Sequence, residues 1–164
     1  MDAPGLYDTD ILEWTEQQAA ALRALAARPD LPNALDLENV IEEIEALGRS
    51  QFKAATSPIR LIMLHVLKAA FAPDAPALAH WRTEIASWHS DVLDELTPSM
   101  HQRVDMQVLW VRALKEAAPA LRENGAMLPM DLPRSCPFVL ADFLGEDFDV
   151  DAAVARIRAA IPAP

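Results

Sequence analysis

Apolar residues recur three and four positions apart along most of the chain, and the alternation that marks a half-buried strand is hard to find. Asp8 or Thr9 can cap a first helix, in which Ile11, Trp14, Ala21, Leu22 and Leu25 recur at roughly helical spacing. Arg28-Pro29-Asp30 ends it, and Pro29 and Pro32 stiffen the loop that follows. Asp36 then caps a second helix whose stripe is Leu37, Val40, Ile41, Ile44, Leu47 and Gly48, with Gly48 either ending it or marking a close contact. Arg49 to Ala55 continues as helix. Ser57 as cap and Pro58 as first residue predict a fresh start. Ile59 to Phe71 is apolar nearly all round, the mark of a buried central helix.

Pro73 and Pro76 break that run. A fourth helix, about Ala77 to Leu96, sets Trp81, Ile85, Trp88, Val92 and Leu96 on one side. Thr97-Pro98-Ser99 stops it and caps a fifth, with Met100, Val104, Val108, Val111 and Leu114 inward and an end near Pro119 to Leu121. From Asn124 the texture changes, and Pro129, Pro133 and Pro137 break up a loop. A short helix to Leu144, an acidic link (Glu146, Asp147, Asp149, Asp151) and a terminal helix through Val154, Ile157 and Ile161 complete the pattern. Short loops between long amphipathic helices predict an all-α bundle of about five main helices with a C-terminal helical appendage, in a single domain over residues 1–164.

Composition sharpens this picture. Alanine and leucine, with 30 and 21 copies, both favour helix. With 52% hydrophobic residues the chain can build a core, unlike a disordered acidic tail. The formal charge of −11 argues against nucleic acid and anionic membrane, which attract Lys and Arg. The longest apolar stretch, Ile59 to Phe71, is interrupted by Arg60, His65 and Lys68, short of a membrane span. Met1-Asp2-Ala3-Pro4 carries acid where a secretory leader has basic residues, and Cys136 is the one cysteine, so a cytoplasmic protein is expected. The four glycines are too far apart for a phosphate-cradling or dinucleotide loop, and no cofactor is expected. No Gly-flanked serine elbow occurs either.

Several strings then line up. They are the run from Tyr7 to Gln18, the run from Leu35 to Ser50, Leu64-His65-Val66-Leu67-Lys68, Trp81 ahead of a helix, and Cys136-Pro137-Phe138. In content and order they resemble the bacterial domain-of-unknown-function family 29 over roughly residues 7–144. The specific part is Leu35-Asp36 through Glu38-Asn39, Glu42-Glu43-Ile44-Glu45 and Leu47-Gly48. The resemblance implies a compact all-helical protein and carries no activity, cofactor or catalytic residue set. One departure is Ala69-Ala70-Phe71, where the family more often has an aromatic directly after the Lys68 position.

Candidate chemistry concentrates on two helices. Glu38, Glu42 and Glu45 share one helical face, where like charges are mildly destabilising unless balanced. Arg49 can pair with Glu45, and His65 and Lys68 are the polar side chains late in the buried helix. These residues suggest a cluster of Glu38, Glu42, His65 and Lys68 between packed helices, able to bind a metal or tune a base. The plainer readings are an ion-pair network that fixes helix register, or a solvated acidic face. His80 with Glu84 and His101 with Asp105 are i, i+4 pairs, each half of a zinc site without a visible third ligand, so no metal site is assigned. No Glu-x-x-His pair of the di-metal bundle type occurs. Ser87, His89 and Asp91 look like a triad in print, but residues two apart on a helix diverge. Cys136 reads as a buried thiol, or as a nucleophile if Pro137 opens a helix. Trp14, Trp81, Trp88 and Trp110 read as core anchors.

Three functions follow as expectations. The first is a non-enzymatic interaction or accessory module that takes a protein partner or self-associates. The second is a metal-binding protein or enzyme using the Glu/His/Lys cluster. The third is an acidic decoy that captures a basic protein in a salt-sensitive way.

Overall fold

The structure, a computed structural model, describes residues 5–29 and 35–162. Seven α-helices and one 3-10 turn make up its ordered elements, and no strand occurs among the described residues. The helices are α1 (Leu6–Thr9), α2 (Ile11–Ala26), α3 (Leu37–Phe71), α4 (Leu78–Glu95), α5 (Pro98–His101), α6 (Met106–Glu123) and α7 (Val150–Ala159), with the 3-10 turn at Leu140–Phe143. The all-α expectation holds. Asp30 and Pro32 of the expected first loop, and Met1 to Pro4, lie outside the described residues. The chain divides into two compact units, one of Met1–Ala55 with Leu96–Arg103, the other of Thr56–Glu95 with Val104–Pro164.

In the first unit, Asp10 and not Asp8 or Thr9 starts the long helix α2. Its carboxylate accepts from the Glu13 amide at 3.2 Å, from the Ser99 amide at 2.9 Å, and from the hydroxyls of Ser99 and Thr97 at 2.6 and 2.9 Å. One buried acid thus caps α2 and holds the start of α5. Burial pushes the Asp10 carboxyl up, but the hydrogen bonds outweigh it and hold it below the usual aspartate range. Leu12, Thr15 and Ala19 form the buried face of α2, while Ala21 is exposed and Leu22 and Leu25 are half-buried. Gly48 does not end a helix. It sits inside α3, where a Cβ would stand 2.3 Å from the Thr15 hydroxyl oxygen, so α2 and α3 approach through a missing side chain. Asp36 does cap, accepting from the Asn39 amide at 3.2 Å.

The expected fresh start at Ser57 and Pro58 is overturned: α3 runs unbroken through Pro58. An internal proline lacks one backbone hydrogen bond and crowds the preceding turn, at a cost of about 3 kcal/mol. The residues that follow offset it. Ile59, Ile62, Met63, Val66 and Leu67 are fully buried, each contributing roughly 1.5–3 kcal/mol. An 18-residue window of α3 is apolar enough to cross a membrane by composition, and 61% of that window is buried inside the protein.

In the second unit, α4 buries Trp81, Ile85, His89 and Val92. The expected fifth helix is two helices, because Asp105 opens a new one by accepting from the Val108 amide at 2.9 Å. That restart resets the helical phase. Leu109, Trp110, Ala113, Ala117 and Leu121 turn inward, whereas Val108 and Val111, expected inside, are exposed. Gln107 straps the following chain to α6: its amide nitrogen donates to the Arg134 carbonyl at 2.7 Å and its oxygen accepts from the Cys136 amide at 2.8 Å. Trp110 donates to the Pro133 carbonyl at 3.3 Å beside them.

Two residues of the acidic link are engaged: Asp149 caps α7 through the Ala152 amide at 2.9 Å, and Asp151 pairs with Arg82 at 2.5 Å. Asp142 of the 3-10 turn pairs with Arg156 at 2.7 Å. From α7, Arg158 donates twice, at 2.8 and 3.1 Å, to the Ala70 carbonyl in the last turn of α3, a group the helix itself leaves unpaired.

Candidate functional site

The four residues Glu38, Glu42, His65 and Lys68 do not form one cluster. All lie on α3, but Glu38 and Glu42 belong to the first compact unit and His65 and Lys68 to the second. Helical periodicity gave them related faces but not proximity. Glu38 and Glu42 line an open groove of about 400 Å³ with Arg23, Ile41 and Glu45 in the first unit. There Glu45 pairs with Arg23, not with the expected Arg49.

His65 and Lys68 do come together, and their partners come from α4. His65 Nδ1 lies 3.1 Å from the Leu61 carbonyl oxygen one turn back. A carbonyl can only accept, so Nδ1 carries a proton. His65 Nε2 lies 3.0 Å from Lys68 Nζ and 3.0 Å from Glu84 Oε2. The other Glu84 oxygen is 3.5 Å from His80 Nε2, so the expected His80–Glu84 pair exists. Trp88 meets the imidazole edge-to-face at 4.7 Å, and Lys68 Nζ sits 4.2 Å over the Trp81 ring. Burial first, then the Lys68 charge, depress His65 below its ordinary value, against upward pulls from the Leu61 carbonyl and Glu84. Burial likewise lowers Lys68, while Glu84 and Glu123 pull it up.

Chemically this is a half-buried proton-sharing group with an ammonium where a metal would approach His65. Among the described residues no three His, Cys, Asp or Glu side chains are disposed to hold a metal ion. The second half-site, His101 with Asp105, has its carboxylate committed to capping α6. Ser87 and Asp91 are exposed while His89 is buried between them in sequence, so the apparent triad does not converge. Cys136 is not at a helix N-terminus, because residues 136–139 are irregular and the 3-10 turn begins at Leu140. Burial and the nearby Asp142 push its thiol up, and the thiol donates to the Phe138 carbonyl at 3.4 Å. Trp81 and Trp110 are buried anchors as expected, and Trp14 and Trp88 are half-buried.

A second feature was not read from the sequence. Outward-facing Val111 and Leu114 of α6 and Leu128 and Met130 of the following segment line a groove of about 370 Å³, with Lys115 and Arg134 beside them. Met130 is fully exposed and Val111 is 48% exposed. The available signal was Asp105, a capping residue inside the expected fifth helix.

Residues 6–149 match the family described as "Domain of unknown function DUF29". The chain belongs to the DUF29 family. A crystal structure of an alpha-helical protein of unknown function from Rhodospirillum rubrum is 46% identical to it, with a TM-score of 0.82. The match covers 94% of this chain and 98% of that one, so the helical architecture is shared from end to end. No curated protein matches the chain. The DUF29 family and the Rhodospirillum rubrum protein are both described as of unknown function, and nothing in those descriptions indicates an enzyme or a metal site.

Proposed function

We propose that this DUF29 protein is a cytoplasmic protein-interaction module that docks an apolar, acidic segment of a partner along α6. The carrying observation is the groove of Val111, Leu114, Leu128 and Met130 flanked by Lys115 and Arg134. Exposed apolar surface gathered into a groove is unusual on a monomer, and methionine adapts to varied partners. Gln107 and Trp110 hold the far wall in place, so little ordering is needed on binding.

Charge selects the class of partner. Arg23, Arg60, Arg82, Arg103 and Arg156 each pair with a carboxylate of this chain. Among the described residues Lys115 and Arg134 have no such pair, which leaves two free cations bordering the apolar groove of an acidic protein. An acidic occupant is attracted there and a basic one repelled. The alternative of an acidic decoy is weakened because Asp36, Glu45, Asp142, Asp149 and Asp151 are engaged in caps and ion pairs.

The test is fluorescence anisotropy with two labelled amphipathic peptides of one pattern, one of leucine and glutamate, the other of leucine and lysine. The glutamate peptide binds, weakens with salt, and shifts the amide signals of Val111 and Met130. Reversing both cations (Lys115→Glu with Arg134→Glu) weakens it by about tenfold or more. Equal binding of both peptides, no binding of either, or indifference to the charge reversal overturns the proposal.

A further inference from the structure

We propose that His65, Lys68 and Glu84 form a proton-operated junction between α3 and α4, independent of the α6 groove. With His65 neutral, its Nε2 accepts from the Lys68 ammonium. With His65 protonated, Nε2–H donates to Glu84 and Lys68 leaves for the face of Trp81.

The geometry forces a choice. The Leu61 carbonyl, 3.1 Å from Nδ1, holds a proton on that nitrogen in both states. That leaves Nε2 as the titrating atom, and it has a single site for either a lone pair or a hydrogen. Lys68 Nζ, a donor, and Glu84 Oε2, an acceptor, both stand 3.0 Å from it. A bare Nε2 satisfies lysine and faces glutamate lone pair to lone pair. A protonated Nε2 satisfies glutamate and sets an imidazolium against an ammonium. One proton therefore exchanges one hydrogen bond for the other.

The surroundings supply both a resting state and a landing place. Burial and the Lys68 charge favour neutral His65 at neutral pH. The indole of Trp81, 4.2 Å from Nζ, already offers the ammonium a second seat. The charged groups facing the junction are Lys68 on α3, Glu84 and the exposed His80 on α4, and Glu123 of α6, which acts on Lys68. Because Trp88 lies 4.7 Å from the imidazole, indole emission reports its charge.

The experiment is a pH titration of nitrogen-15-labelled imidazoles by NMR, with His65 assigned by loss of its signals in His65→Gln. At neutral pH wild-type His65 shows the Nδ1–H tautomer. Lys68→Met raises the His65 midpoint and Glu84→Gln lowers it, each by roughly half a pH unit or more. Tryptophan emission steps at the wild-type midpoint, and the step disappears in His65→Gln. An Nε2–H tautomer at neutral pH, or one midpoint common to wild type and both variants, overturns the proposal.

Discussion

Replacing Gly48 with alanine sets two opposed effects against each other. In a helix interior alanine is favoured over glycine by about 1 kcal/mol, so propensity predicts a gain. At this position the new Cβ stands 2.3 Å from Thr15 Oγ1, 3.3 Å from Thr15 Cβ and 3.4 Å from Leu12 Cδ1. Thr15 is 1% exposed, and its hydroxyl donates to the Leu12 carbonyl at 2.8 Å. Turning it away forfeits that hydrogen bond in a buried site, about 1–3 kcal/mol, and leaves the Cβ contact tight. Moving the helices apart instead is overpacking, of similar cost. The net expectation for Gly48→Ala is a loss of about 1–3 kcal/mol, or roughly 3–9 °C in Tm. Thermal and urea unfolding followed by far-UV circular dichroism measures it. A double-mutant cycle isolates the cause, since Thr15→Ala removes the 2.3 Å contact and makes Gly48→Ala cheaper by about 1 kcal/mol or more. A stabilised Gly48→Ala, or the same cost in both backgrounds, refutes the steric argument.

Two further outcomes concern a buried acid and a half-buried thiol. Asp10→Ala removes the cap of α2 and strands the Ser99 amide, which costs about 3 kcal/mol in urea unfolding. Because the folded-state pKa of Asp10 lies below its ordinary 3.8, its contribution is complete above that value and is lost as pH falls through the folded value. The variant therefore shows a shallower acid limb, and an unchanged limb contradicts the assignment. Cys136, its thiol pushed up by burial, alkylates with iodoacetamide at pH 7.5 about tenfold more slowly than in the urea-unfolded chain. Equal rates in the folded and unfolded chain exclude a thiol that the fold shields.

Local signals carried the helices. The 3.6-residue recurrence of apolar positions, the capping acids and the prolines at helix ends are properties of neighbouring residues. They located α2, the start of α3, α4 and α7 to within a few residues. The same signals failed where distant packing outweighed local preference. Pro58 reads as a helix start, yet the burial of Ile59 to Leu67 carries α3 through it. Val108 and Val111 read as inward when the phase is continued from Met100, but Asp105 opens a new helix and Trp110 takes the interior.

The site shows the same division. His65 with Lys68, and His80 with Glu84, were legible as pairs because each spans a single helical turn. That the two pairs meet depends on which helix packs against which. Periodicity fixes a direction around an axis and says nothing of the neighbour in that direction. The amino-acid sequence by itself determined an acidic, all-helical DUF29 chain, since propensity, capping and charge are local or additive. Tertiary structure decided that Gly48 is a contact and not a stop, that α6 turns two valines outward, and that Glu84 reaches His65. Those facts depend on side chains far apart in sequence competing for the same few ångströms.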